Sequence, residues 1–328
     1  MLSPECKLQV KIGGDSALMT KPTVAIFVFN RPRETRALLD RLRVLGIESI
    51  LVVGDGPRPG STNDKVECDE VRNLVNGITW ANSVRSNFAE VNLGLEKRFT
   101  TGLSWVFSQV EEAIVLEDDC LPTRSFFSFA EHFLTVYKDD PTVGMIQGWT
   151  PLTGRFVPEG YFKSTRPKVW GWATWADVAK SFDGAIPELS KEAIVRRLLA
   201  VDYSRAQARR FARNLLRASE IGTWDYQWVW HLLSNNLKSI SPTRNLVQNV
   251  GFGQNATHTK HSLGYFDKPA ENVEDTILSC SLVRWSKVLD RAEALFVVLG
   301  TLRRAFSSPG QSLRPFLHLV QVRLRTLK

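Results

Sequence analysis

Apolar positions in the first half of the chain fall into short unbroken runs separated by polar turns. Thr23 to Phe29 is β-branched or aromatic almost throughout and stops at Asn30-Arg31-Pro32, after which Leu38, Leu39, Leu42 and Leu45 recur at helical spacing. This pattern predicts strand, turn and helix. Ser49 to Val53 repeats the buried-strand pattern and closes on Gly54-Asp55-Gly56-Pro57, which leaves Asp55 at the carboxyl end of a strand. A helix is expected over Asp64 to Val75, a short strand over Val84 to Phe88, and a helix over Gly94 to Val110 with Asn92 placed to cap it. A fourth strand, Ala113 to Leu116, runs straight into Glu117-Asp118-Asp119, followed by a helix over Phe126 to Tyr137 and a strand over Val143 to Trp149.

Strands alternating with helices at this spacing predict an α/β fold, a mostly parallel mixed sheet covered by helices on both faces. In such sheets ligands sit beyond the carboxyl ends of the strands, where Asn30, Asp55 and the acidic triplet converge. Patterning is weaker further on. Residues 151 to 167 read as irregular or hairpin structure, Arg196 to Ser219 as a basic helix and Leu237 to Ser241 as a short strand, with terminal helices over Ala294 to Phe306 and Leu313 to Leu327. The implied organisation is a tail over 1–20, a sheet-forming half over 21–150, a second half over 151–265 and a basic helical extension over 266–328.

Composition adds three constraints. A hydrophobic content of 43% supports a large buried core. The net charge of +8 is concentrated at the C-terminal end, where Arg303, Arg304, Arg314, Arg323, Arg325 and Lys328 alternate with apolar residues. Such a stretch suits either an anionic membrane surface or a solvated helix face. Nucleic acid is not expected as a partner, because no recognised nucleic-acid module accompanies the charge. Cys6, Cys68, Cys120 and Cys280 form no CxxC pair, and no apolar run reaches the roughly 18 residues of a membrane span, so a cytoplasmic protein with reduced thiols is expected, either free or peripheral on the membrane's inner face.

The chemistry lies in the triplet. Adjacent carboxylates at the end of a buried strand repel each other and need a positive partner. A hard divalent cation, Mg2+ or Mn2+, accepts oxygen ligands and bridges to phosphates, so a nucleotide diphosphate fits beside it. The alternative is a solvent-facing loop capping the following helix.

The succession Phe29-Asn30-Arg31-Pro32, Asp55-Gly56, Asn92-Leu93-Gly94, Glu117-Asp118-Asp119, Trp170-Gly171-Trp172-Ala173-Thr174-Trp175 and Trp224-Asp225 resembles bacterial glycosyltransferases of the GT-A fold. More distantly, it is similar to the N-acetylglucosaminyltransferase I family. The resemblance spans Val24 to Thr259. It implies a GT-A fold and transfer of a hexosyl or N-acetylhexosaminyl group from a nucleotide-sugar donor, uridine-based, to a glycan or lipid-linked glycan acceptor. Residues 21–150 would then bind the donor and 151–265 the acceptor. Asn30, Arg31 and Asp55 take the positions that hold the nucleoside, with Arg31 also near the phosphates. Asp119 takes the position of the metal ligand, Asp118 faces the donor, and Glu117 supports both. Asn92 and Gly94 approach the donor or form a plain cap; Asn30-Arg31-Pro32 also suits a helix start, and Asp55 a turn. Arg98 reaches a phosphate or is an exposed helical arginine. Trp170 and Trp172 shape the sugar pocket, while Trp175 suits the core equally well.

Inverting transfer needs a carboxylate to take the acceptor's proton. Asp225, among aromatic residues in Thr223-Trp224-Asp225-Tyr226-Gln227-Trp228, is the first candidate and Glu220 the fallback; the competing role for Asp225 is that of a helix cap beside structural aromatics. His258, in the Gly- and amide-rich segment Gly251 to Thr259, is either a second metal ligand or a surface histidine. Two rival functions stay open: a sugar-phosphate nucleotidyltransferase, although the N-terminal Gly-rich loop of those enzymes is not found, and a non-catalytic carbohydrate-binding protein.

Overall fold

The computed structural model describes residues 22–152, 157, 159–251, 269–273 and 287–292. The first apolar runs form β1 (Thr23–Val28), α1 (Pro32–Leu45), β2 (Ser49–Gly54), α2 (Thr62–Asn76), β3 (Ser83–Phe88), α3 (Leu95–Gln109) and β4 (Glu112–Glu117). There follow β5 (Cys120–Pro122), α4 (Arg124–Val136), β6 (Val143–Gln147), β7 (Tyr161–Ser164), β8 (Trp172–Trp175) and α5 (Ala176–Lys180). Next come α6 (Lys191–Ala200), α7 (Arg205–Leu216), α8 (Ala218–Ile221), α9 (Asp225–Ser234), β9 (Lys238–Pro242) and β10 (Val247–Asn249), and the described residues 287–292 are helical.

Eight strands make one sheet in the order β3-β2-β1-β4-β8-β6-β9-β7. β1 lies between β2 and β4 and is parallel to both, and β3 extends the parallel part from β2. Right-handed crossovers carry the chain outward through α1 and α2 on one face and bring it back through α3 on the other. Strands covered on both faces are apolar throughout, which is why these runs are so plain in the sequence. β8 runs antiparallel to β4 and β6, β9 is parallel to β6, and β7 closes the edge antiparallel to β9. The expected boundary at 150/151 thus falls within one continuous sheet, since β8 inserts between β4 and β6. A separate ribbon pairs β5 with β10, setting Cys120 opposite Asn249.

Three expectations change. The stretch 151–167, read as irregular or hairpin, contributes sheet strand β7. The segment 196–219, read as one helix, lies across α6, α7 and α8: Asp202 takes the left-handed conformation (φ 65°), and Ser204 opens α7 with a capping box to Gln207. Trp172, expected to shape the sugar pocket, lies with Trp175 in β8, a strand with all four residues buried. The terminal helices over 294–306 and 313–327, and His258 with the segment 252–259, lie outside the described residues. Among the described residues, no helix is long and apolar enough to cross a membrane.

The main core joins the sheet to Phe99, Phe107, Phe126, Phe129, Phe133, Trp172 and Trp228, each fully buried. Such side chains contribute about 1.5–3 kcal/mol each by leaving water. A second cluster, Ile194, Leu198, Ala208, Ala212, Leu215, Trp230 and Leu233, holds α6 and α7 against one side of α9. The opposite side of α9 packs on the main core through Trp228 and Leu232, which fixes the start of α9 above the sheet.

Candidate functional site

Strand order reverses between β1 and β4, so the chain leaves their carboxyl ends in different directions and opens a crevice there. Its volume is about 650 Å³, within the range of small-molecule clefts. Its lining includes Asn30, Arg31, Asp55, Arg58 and Asn92 together with Glu117, Asp118, Asp119, Asn249 and Gly251. Trp170, Thr223, Trp224, Asp225 and Tyr226 complete the rim. Residues far apart in sequence therefore meet at one place, including Asn30, Arg31, Asp55, Asn92, Asp118, Asp119 and Asp225.

The positive partner demanded by the triplet is present within the chain. Arg31, at the junction of β1 and α1, is paired through Nη2 with Asp118 Oδ1 and donates from Nε to Asp118 Oδ2 at 3.2 Å and from Nη1 to Asp119 Oδ2 at 2.9 Å. Asp118 has a side chain only 2% exposed. Burial pushes it up to about 7, with Arg31 opposing that rise and Asp119 adding to it. Burial, reinforced by the Asp119 charge, also pushes Glu117 well above the usual carboxylate range. Burial would lower the Arg31 guanidinium, but Asp118 and Asp119 outweigh it and hold Arg31 above its ordinary value.

Asp119 is held from the other side by the β5–β10 ribbon. Its Oδ1 accepts from Asn249 Nδ2 at 3.2 Å and its carbonyl from Val250 N at 2.8 Å. Gly251 crosses so close that a Cβ there would meet Asp119 Oδ2 at 2.1 Å, so any larger residue would have to displace the carboxylate. Among the described residues, no three His, Cys, Asp or Glu side chains form a ready metal cage. The oxygen donors nevertheless fit a hard cation: the Arg31 guanidinium stands in for one, and Mg2+-like ions need only one or two carboxylates when water and phosphate supply the rest.

Asp55, 7% exposed, organises the neighbouring loop. Its Oδ1 accepts from Gly56 N at 2.8 Å and Leu93 N at 2.9 Å; its Oδ2 accepts from Asn92 Nδ2 at 3.0 Å and Gly94 N at 3.2 Å. Asn92 is therefore not the cap of α3. Its amide is turned to Asp55 and to the Gly56 carbonyl, while Gly94, at φ 81°, occupies the cap position without a side-chain bond. Arg98 is not an exposed helical arginine either. It is buried, donating to the carbonyls of Gly54 and Asn87, and so clips α3 to the ends of β2 and β3.

Arg58 and Asp64 were not singled out by the sequence. Asp64, 1% exposed in the first turn of α2, accepts from the Arg58 backbone and guanidinium and from Asn30 Nδ2 at 3.0 Å. Arg58 is thereby held over the Phe29 ring, 5.6 Å from its centroid, at the crevice edge. The Ser61-x-x-Asp64 spacing carries a capping signal, and Ser61 Oγ accepts from Asp64 N at 3.2 Å. Nothing local marks Arg58 or Asn249.

Asp225 lines the crevice as the first residue of α9; the cap position is taken by Trp224, so Asp225 is not the helix cap. Thr223 Oγ1 donates to its Oδ1, and its charge is felt at Glu117. Trp224 stacks on Phe99 with ring centroids 3.4 Å apart. Trp170 lines the crevice, but Trp172 does not: it is 1% exposed and packed 4.7 Å from the Trp228 ring. β8 puts it inside the sheet, which corrects its assignment to the sugar pocket. Trp175 belongs to the core, donating from Nε1 to the Leu134 carbonyl. Glu220 is exposed, paired with Arg217 and absent from the crevice lining.

No protein-family profile and no curated protein matches the chain. Among solved structures, it is similar to a mannosyltransferase from Pyrobaculum calidifontis in complex with GDP-Man and Mn2+, at 13% identity and a TM-score of 0.39, over 94% of this chain and 81% of that one. It is also similar to 4-diphosphocytidyl-2C-methyl-D-erythritol synthase from Anaerococcus prevotii, at 9% identity and a TM-score of 0.33, over 56% and 87% of the two chains. A third similarity is to a UDP-glucose pyrophosphorylase complexed with UDP-glucose, at 12% identity and a TM-score of 0.27, over 48% and 78%. With every TM-score below 0.5, functional meaning comes from the crevice itself: a carboxylate cluster at the switch point of an α/β sheet, a guanidinium bound within it, and a further carboxylate on the rim.

Proposed function

We propose that the chain is a metal-assisted inverting glycosyltransferase that moves a sugar from a nucleotide diphosphate, uridine-based, to a hydroxyl of a glycan or lipid-linked glycan. The observation that carries this reading is the shared crevice, with the Arg31–Asp118–Asp119 cluster on its walls and Asp225 on its rim. Phosphates suit the first locus, and a proton acceptor suits the second.

In this reading the Asp55-braced loop and Asn30 frame the nucleoside, and Arg31 offers a bidentate guanidinium to phosphate oxygens. Asp225 takes the proton from the acceptor hydroxyl as its oxygen attacks the anomeric carbon opposite the diphosphate. Trp170 and Tyr226 present broad faces that hold sugar rings and exclude water. Asp119 would hold a Mg2+ or Mn2+ ion, which when bound would supply positive charge to the departing diphosphate.

Thermal unfolding with a panel of nucleotide sugars, with and without Mn2+, tests donor binding, since a ligand of the folded state raises the midpoint by mass action. Transfer by Asp225→Asn then tests the base: donor affinity is expected to persist while turnover falls about 10²–10⁴-fold. Wild-type turnover by that variant would remove Asp225 from the mechanism. Pyrophosphate release from a nucleoside triphosphate and a sugar phosphate, without sugar transfer, would replace the reading by a nucleotidyltransferase.

A further inference from the structure

We propose that Arg31 is an exchanging counter-ion: in the donor-free protein it occupies the cation locus between Asp118 and Asp119, and it releases Asp119 to a divalent cation when a diphosphate arrives to take its guanidinium. This rests on the reading of the crevice as a nucleotide-diphosphate site and adds how that site is kept before the donor binds.

Three observations carry it. Arg31 commits donors to two different carboxylates, Nε and Nη2 to Asp118 and Nη1 to Asp119 at 2.9 Å. The two sides of this cluster differ in exposure: the Asp118 side chain is 2% exposed, whereas those of Asp119 and Arg31 are 14% and 21% exposed. Asp119 is also held by Asn249 and hemmed by Gly251, so the carboxylate stays in place when the arginine moves.

A divalent cation bound about 2 Å from Asp119 Oδ2 would share that oxygen with Nη1. Two positive groups on one oxygen repel, so the ion alone competes with Arg31. A diphosphate changes the balance, because its oxygens accept the planar guanidinium in a bidentate pair and bind the metal as well. Metal and diphosphate therefore enter together, and the triplet does not draw in free metal beforehand. Arg31 is a positioning residue in this scheme and makes no bond to the reacting carbon.

The test measures Mn2+ binding by the full chain, alone and with UDP, by calorimetry, and follows thermal unfolding in parallel. Wild type is expected to bind Mn2+ weakly alone and at least tenfold more tightly with UDP. In Arg31→Gln the buried Asp118 loses its partner, so the midpoint falls, Mn2+ alone binds at least tenfold more tightly than to wild type, and Mn2+ alone restores much of the lost midpoint. UDP affinity falls at the same time. Arg31→Lys, which keeps a charge but loses the fork, should stay near wild type for Mn2+ alone and bind UDP less well; it also serves if the glutamine variant does not fold. Unchanged or weaker Mn2+ binding by Arg31→Gln, or Mn2+ alone binding Arg31→Lys as tightly as expected for the glutamine variant, overturns the exchange while leaving the glycosyltransferase reading intact. Failure of wild type to bind UDP with Mn2+ overturns both.

Discussion

Replacing Asp55 by Asn changes one atom and no volume, yet the hydrogen bonds around it lead to a substantial loss of stability. The two carboxylate oxygens accept four donors at 2.8–3.2 Å, three of them backbone N–H groups. A carboxylate has about four acceptor sites, so its capacity is filled. An amide offers one oxygen and one NH2. With the oxygen kept toward Gly56 and Leu93, the NH2 meets the donors of Asn92 and Gly94. Each donor buried without a partner costs about 1–3 kcal/mol, and Asn92 can recover part of this by flipping its amide. The expected loss is about 2–4 kcal/mol, read as a lower urea midpoint at unchanged slope. Asn92→Ala, which removes one donor, should cost about 1 kcal/mol, and the double variant should fall short of the sum because both changes break the same bond. If Asp55→Asn stays within about 0.5 kcal/mol of wild type and only nucleotide affinity falls, Asp55 acts directly on a ligand and the loop-organising account is wrong.

Trp172→Ala should cost about 3–5 kcal/mol in urea unfolding while the folded fraction keeps its nucleotide affinity, because the ring fills the core and not the crevice; a selective loss of affinity at unchanged stability would return Trp172 to the site. Asp140 gives a pH signature. Burial raises it, but its bonds from Lys163 and Thr142 prevail and lower it to about 2. A carboxylate depressed in the folded state stabilises above its unfolded value, near pH 4, and loses that contribution as pH falls through the folded value. The stability difference between wild type and Asp140→Asn should thus be on the order of 1 kcal/mol at neutral pH, allowing for solvent screening, shrink from about pH 4 downward and be lost only below about pH 2. A difference undiminished between about pH 7 and 2 would mean that the pair with Lys163 is not its source.

The parallel half of the sheet was legible because strands buried on both faces are written as continuous apolar runs ended by turn residues, as in Thr23 to Phe29 and Ser49 to Val53. The antiparallel half was not. β8 has four residues, Trp172 to Trp175, and two of them are tryptophans, whose wide apolar faces serve a core and a sugar site equally well. Only the position of β8 between β4 and β6 decides the matter, and that depends on pairing with residues up to 63 positions away, such as Glu112 with Trp175. β5 and β10 are defined by each other across more than a hundred residues, so Asn249 had no local mark. The triplet was legible in its electrostatic need but not in how the chain meets it. Repulsion among Glu117, Asp118 and Asp119 correctly requires a positive group; that Arg31, 87 residues before Asp118, supplies one follows only from the adjacency of β1 and β4.

That ion pair also bears on what the crevice can accept. Among the described residues, Asp55, Asp118, Asp119 and Asp225 line it beside three arginines, and two of those are already engaged: Arg58 with the Asp64 carboxylate, Arg98 with the carbonyls of Gly54 and Asn87. Arg31 itself is shared between two carboxylates. The local balance is thus acidic, and a nucleotide diphosphate entering as a bare anion would meet like charge in a cleft where solvent screening is reduced. Under the proposed exchange, entry as a complex with a divalent cation would remove that repulsion and give Asp119 a partner as Arg31 turned to the phosphates. On this argument the positive net charge of +8 says little about the ligand, because the sign of the crevice is set by residues brought together by β1 and β4 and not by the chain's total. Mn2+ and nucleotide should therefore bind as one cooperative unit, with an affinity that follows the concentration of their complex and not that of either alone.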